Sequence, residues 1–154
     1  MYVLLTALAM TLPRHGVLAP GKSLAGVRLN DPLATVTRRF GPTHETCRVC
    51  DEQTWFFHYR GVPNEGVAVV LKRSRVAAIF TLGAPHGWRT TEGLVLGEPL
   101  ARVVEVYGQS LPRTACVGYL ALSMRTRTAV TSIYMTGDAV YGFALTLPST
   151  PDCR

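Results

Sequence analysis

Four cysteines and four histidines carry most of the chemistry open to this chain. Cys47 and Cys50 stand in "TCRVC", with His44 just before them and His58 shortly after, while Cys116 and Cys153 lie far apart in the second half. A thioredoxin-like redox pair needs its Cys-x-x-Cys at a helix N-terminus within a βαβ unit. Here the pair falls in a loop that leads to a strand. His44, Cys47, Cys50 and His58 offer two thiolates and two imidazoles, the ligand types of a structural tetrahedral zinc site. Oxidation is the preferred outcome, although a zinc site and free thiols stay open. Four cysteines allow three pairings. The expected one is Cys47–Cys50 with Cys116–Cys153, in which the second bond fastens the C-terminal "LPSTPDCR" to the second half.

Catalytic motifs are missing from the sequence. It holds no Gly-x-Ser-x-Gly elbow, no phosphate loop and no His-Glu-x-x-His pattern. His86, in "GAPHGW", reads as a linker residue rather than a base. The expectation is a protein that is not an enzyme and carries no cofactor.

The elements that must position these residues are written twice. "GVRLNDPLATVTRRFG" (Gly26 to Gly41) and "GLVLGEPLARVVEVYG" (Gly93 to Gly108) align at an offset of 67 residues. Gly26, Leu29, Pro32, Leu33, Ala34, Val36 and Gly41 fall on identical residues in the second copy, and Asp31 and Phe40 fall on Glu98 and Tyr107. Spacing, identity and punctuation agree together, which marks an internal repeat. Each copy reads as a short helix with proline at its first position, an apolar stripe, and a glycine stop. Asp31 is the expected N-cap of the first helix, and Gly97 that of the second. After each helix the period changes to two. "TWFFHYR", "VAVVLK" and "VAAIFTL" follow the first, and "CVGYLALSM", "AVTSIYM" and "AVYGFALTL" the second. The predicted fold class is α+β, with two tandem helix-plus-antiparallel-meander repeats forming one sheet and the helices on one face. A three-stranded unit is marginal alone, so two copies joined together make the stable body.

The apolar start, Tyr2 to Leu12, has the length of a signal peptide and is too short to span a bilayer as a helix. Val17-Leu18-Ala19 resembles a cleavage site. The expected division is therefore 1–21 as a leader, 22–86 as the first repeat and 87–154 as the second, in a periplasmic or secreted protein without a transmembrane segment. The net charge of +6 comes almost wholly from arginine. No predicted helix bears the basic stripe of a nucleic-acid binder, so nucleic acid is not an expected partner.

The run "GVRLNDPLATVTRRFGP", followed by "TWFFHY" and "VAVVLKRSRVAAI", resembles the SmpA/OmlA-type small outer-membrane lipoproteins. The tandem arrangement is similar to that of the β-lactamase inhibitor proteins. The resemblance covers about residues 24 to 147 and implies an exported, non-catalytic module that binds other proteins. The chain departs from the pattern in two respects: no cysteine near the N-terminus is available for lipid attachment, and Asn30 stands where glycine is usual.

Alternation along "TWFFHYR" puts Trp55, Phe57 and Tyr59 on one face and Phe56, His58 and Arg60 on the other. The first set suits the core. Two short helices cannot cover both faces, so the second set, together with Tyr119, Ser123, Ser132 and Tyr134, is expected on an open face. Phe56, His58, Arg60, Tyr119 and Tyr134 are the candidate contacts for a protein partner or a second copy of the chain.

Overall fold

Runs rich in valine, isoleucine and aromatic residues fill the chain, and they form strands. The computed structural model describes residues 11–153. Its main element is an eight-stranded antiparallel sheet. The first half supplies β3 (Glu45–Thr46), β4 (Gln53–Tyr59), β5 (Val62–Lys72) and β6 (Arg75–Leu82). The second supplies β8 (Arg113–Cys116), β9 (Tyr119–Arg125), β10 (Val130–Thr136) and β11 (Ala139–Thr146). The order β3-β4-β5-β6-β11-β10-β9-β8 sets two four-stranded meanders edge to edge. Their last strands meet in the middle, where Phe80, Ile79 and Ala78 of β6 oppose Ala144, Leu145 and Thr146 of β11.

The expected α+β class is corrected. The protein is mostly β, with 45% strand against 11% helix. The helices α1 (Leu33–Phe40) and α2 (Leu100–Tyr107) have eight residues each and bury only Val36 and Phe40, and Val103, respectively. Two turns of helix are too short to form a layer over such a sheet. Much of the apolar cover comes from elsewhere. β1 (Val17–Ala19), β2 (Ser23–Leu24) and β7 (Arg89–Thr90) form a small second sheet, in which β1 runs antiparallel to β2 and parallel to β7. Leu18, Leu24, Val27, Trp88 and Leu94, from this sheet and its loops, are fully buried in the main core.

Within the expected leader, 1–21, Val17–Ala19 form β1 and Leu18 is fully buried. Tyr2 to Met10 lie outside the described residues. "CVGYLALSM" is likewise two strands rather than one, broken by a turn at Gly118 with φ of 83°.

Both glycine-bounded segments adopt the same local conformation. Each helix is preceded by a proline in extended geometry, Pro32 at φ −73° and Pro99 at φ −75°, and followed by a glycine at φ 89° or 88°. The prolines are therefore the N-caps, in place of Asp31 and Gly97, and each helix starts one residue later than expected. Asp31 is not a helix cap; its carboxylate accepts the Arg28 N–H at 2.8 Å, as Glu98 accepts the Val95 N–H at 2.6 Å. The entrance to each helix is pinned to the last strand of its own half. Asn30 N–H donates to Val76 O and Val76 N–H to Asp31 O; Gly97 N–H donates to Val140 O and Val140 N–H to Glu98 O.

Alternation then sorts the side chains. Phe57, Val67, Val69, Ile79, Ile133, Phe143 and Leu145 enter the main core, with Trp55 and Tyr59 packed at its margin. One close approach makes a stability prediction. Gly66 lies opposite His58 beside the β4–β5 bulge, and a Cβ there would overlap the Phe57 carbonyl oxygen, which is backbone and cannot swing aside. Gly66→Ala is expected to lose about 2–3 kcal/mol in urea unfolding. Gly61→Ala meets no atom within 4 Å at its added Cβ and should lose only about 1 kcal/mol from its positive φ. Equal losses would show that the bulge relaxes freely.

Candidate binding groove

The outer edge of the first meander is only partly paired. β3 meets β4 at Glu45↔Phe56 and Thr46↔Trp55, and Cys47 N–H donates to Thr54 O at 2.9 Å. Among the described residues no strand continues alongside Phe57, His58 and Tyr59 on the β3 side. Backbone groups alternate along an antiparallel strand. Because the Thr54 carbonyl faces β3, those of Phe56 and His58 face the same way, and His58 presents its N–H and C=O in the lane beyond the end of β3.

A groove of about 960 Å³ lies beside this edge. Phe56, His58, Tyr59 and Arg60 line it from β4 and the turn that follows. The end of α1 contributes Phe40, the loop after it His44, and β3 Glu45; the N-terminal segment contributes Leu12, Arg14 and His15, and Val62, Glu65 and His86 also line it. All four histidines of the chain meet here, although they are spread from residue 15 to residue 86.

Each histidine is held differently. His44 stacks on Trp55 with ring centroids 3.8 Å apart, and its Nδ1 lies 3.0 Å from Pro42 O. His58 Nε2 is 3.8 Å from the Glu45 carboxylate, while its buried Nδ1 has no protein hydrogen-bond partner. His15 and His86 are exposed. Below them the Trp88 indole N–H donates to the Tyr59 hydroxyl at 2.7 Å, and that hydroxyl donates to Pro13 O at 2.7 Å. Burial, the largest influence, raises the Tyr59 phenol above its ordinary pKa, so it remains a neutral donor.

Three of the five expected contact residues, Phe56, His58 and Arg60, come together in this groove. Phe56 and His58 are half-buried, and Arg60 is exposed in the turn just past the strand. Tyr119 and Tyr134 lie on the same sheet face but across the sheet. β4 and β10 are four strand spacings apart, or about 19 Å. Their rings touch each other edge to face at 5.1 Å, and Tyr134 is only 3% exposed. The C-terminal tail covers it: Tyr134 O–H donates to Asp152 O at 3.2 Å and Thr114 O–H to the Asp152 carboxylate at 3.4 Å. Tyr134 therefore offers no open contact surface.

The zinc alternative loses its ligands. Cys47 and Cys50 are bonded to each other, so neither sulfur is a thiolate. His44 sits against Trp55 on one face of the sheet, whereas His58 points from the opposite face. Cys116 pairs with Cys153, which completes the expected pairing, and no cysteine among the described residues is free.

No family model and no curated protein matches the chain. Among solved structures, the fold is similar to that of a cysteine-rich secretory protein from Staphylococcus aureus subsp. aureus Mu50. The TM-score is 0.55, with 14% identity over 88% of this chain. The chain spans 47% of that protein, so the likeness is to about half of it and concerns the fold. The two disulfides are the chemistry of an oxidising, extracytoplasmic compartment. No helix among the described residues is long and apolar enough to cross a membrane.

Sequence reasoning passed over Arg14 and His15 because they fell in the supposed leader, and His86 because it fell in a linker. Glu65 and Val62 lay in a turn.

Proposed function

We propose that this chain is a periplasmic or secreted, non-catalytic protein-binding module, built from two copies of one unit as in the SmpA/OmlA-type and β-lactamase inhibitor repeats it resembles. The observation that carries this reading is the groove at the outer edge of β4, where aromatic rings, arginine and strand backbone that no other described strand pairs on that side lie together. Aromatic residues and arginine recur at the centres of protein interfaces. A strand edge is also a ready-made pairing template, which natural proteins otherwise cover. The opposite edge strand, β8, is tied to the C-terminal tail through Cys116–Cys153.

The test is affinity capture from envelope and culture fluid, with three baits compared by mass spectrometry. The unaltered protein should retain a partner. Val62→Arg, at a groove position 42% exposed, should lose it while melting within a few degrees of the parent. Arg127→Glu, in the exposed β9–β10 turn, should keep it. A partner that survives Val62→Arg, or no specific partner at all, would remove the groove from the proposal.

A further inference from the structure

We infer that the end of the main sheet away from the groove is a docking surface for a flexible, linear polymer of phosphate groups. This goes beyond the protein-binding reading and does not depend on it.

Two short basic runs fall in hairpin turns: Lys72-Arg73-Ser74-Arg75 between β5 and β6, and Arg125-Thr126-Arg127 between β9 and β10. Register puts both turns at one end of the sheet. Val70 of β5 opposes Ala78, which opposes Thr146; Thr146 opposes Val130, and Val130 opposes Arg125 of β9. β5 and β9 cross this row in the same direction, so the turns that follow them emerge together, at the end of β5 opposite Val62. Three strand spacings, about 14 Å, separate the centres of the two turns. Lys22 joins the second turn, because the N–H of the preceding Gly21 donates to Thr131 Oγ1 at 2.7 Å. Lys22, Lys72, Arg73, Arg75, Arg125 and Arg127 are all exposed. Among the described residues, the one carboxylate paired with any of them is Asp152, 3.9 Å from Arg125.

The first turn also runs against backbone preference. Arg73 and Ser74 both have positive φ, 51° and 60°. Asparagine and glycine fill such a two-residue turn with less strain. The exposed Arg73 side chain is not needed for packing. A cation thus stands at the tip where a neutral residue would fold more readily.

Spacing and residue type describe the ligand. Two clusters about 14 Å apart cannot close on one small anion, so the ligand must carry charge along its length. Arginine supplies most of the cations, and its guanidinium fork matches pairs of phosphate oxygens. Neither turn holds an aromatic ring on which a nucleic-acid base could stack. Ser74, Thr126 and Thr128 at the tips are polar, unlike the apolar side chains that enter a bilayer. The cations follow a line, the end of one sheet, which suits a chain better than a plane.

The test titrates the full chain with fluorescent linear polyphosphate, followed by anisotropy over a range of salt. Affinity should fall steeply with salt through counterion release. In Arg73→Gln/Arg127→Gln the slope of log affinity against log salt should drop by about 1.4, two contacts at about 0.7 each, with the melting temperature unchanged. Arg73→Asn should melt higher than the parent and still bind more weakly, since it relieves the turn and removes a charge. Val62→Arg, in the groove, should bind polyphosphate as the parent does. A slope unchanged in the double variant, or no binding, would overturn the inference. So would phosphatidylglycerol vesicles or polyglutamate that compete as well as polyphosphate, or oligothymidylate that binds more tightly.

Discussion

Replacing Trp88 with alanine is expected to cost about 4 kcal/mol of stability, one of the two largest effects of any substitution considered. The indole is fully buried, and its ring lies so close to Gly16 that a Cβ there would overlap it. Its N–H supplies the hydrogen bond that the Tyr59 hydroxyl accepts, and that hydroxyl in turn holds Pro13. One side chain thus joins the N-terminal segment, the end of β4 and the approach to β7. Trp88→Ala leaves a cavity and takes the indole N–H away from the Tyr59 hydroxyl. Trp88→Phe keeps most of the volume and should lose about half as much. Urea unfolding followed by circular dichroism distinguishes the two variants. Amide exchange should show residues 12–16 loosening first, since the tether to Pro13 has gone. A Trp88→Ala protein as stable as the parent would mean that the small sheet is a dispensable appendage.

The second large effect is expected from the Cys116–Cys153 bond. Its partners are separated by 37 residues, against 3 for Cys47–Cys50. Chain entropy gives the long cross-link about 4 kcal/mol and the short one about 2 kcal/mol. The long bond also holds the tail over Tyr134, with help from Arg125, whose guanidinium donates to Pro148 O at 3.2 Å. The double variant Cys116→Ser/Cys153→Ser should therefore lose about twice the stability of Cys47→Ser/Cys50→Ser. It should also become cleavable by a broad-specificity protease within residues 149–153 and expose Tyr134 to chemical iodination. Equal destabilisation of the two variants, or a tail that stays protected, would show that the non-covalent contacts of residues 148–152 suffice.

Much of this molecule was legible in local pattern. The two glycine-bounded segments specify a proline-led, glycine-stopped helix by their own backbone preferences, and both adopt it. Period-two alternation at Trp55, Phe57 and Tyr59 was enough to sort the core side of β4 from the Phe56 and His58 side. The disulfide pairing could be anticipated because Cys47 and Cys50 are too close in sequence to need the fold, which leaves Cys116 and Cys153 for each other. These outcomes depend on neighbours within a few residues, or on elimination.

What local pattern could not supply was assembly. Val17-Leu18-Ala19 reads as a cleavage site because it is small and apolar, yet in the fold it pairs with β2 on one side and, on the other, with Arg89 and Thr90, some seventy residues later. The balance between helix and sheet was misjudged for a related reason. A helix of eight residues can be read from sequence, but whether it forms a layer depends on what else competes to cover the sheet, and here Leu18, Leu24, Trp88 and Leu94 take much of that area. Tyr134 has the alternation of an outward residue and does point to that face, but a tail folded back from residue 147 covers it. The gathering of His15, His44, His58 and His86 into one groove is likewise a product of topology alone. Sequence fixes which way a side chain leaves its own strand, because that is a property of one backbone. What it then meets is decided by the packing of segments distant in the chain.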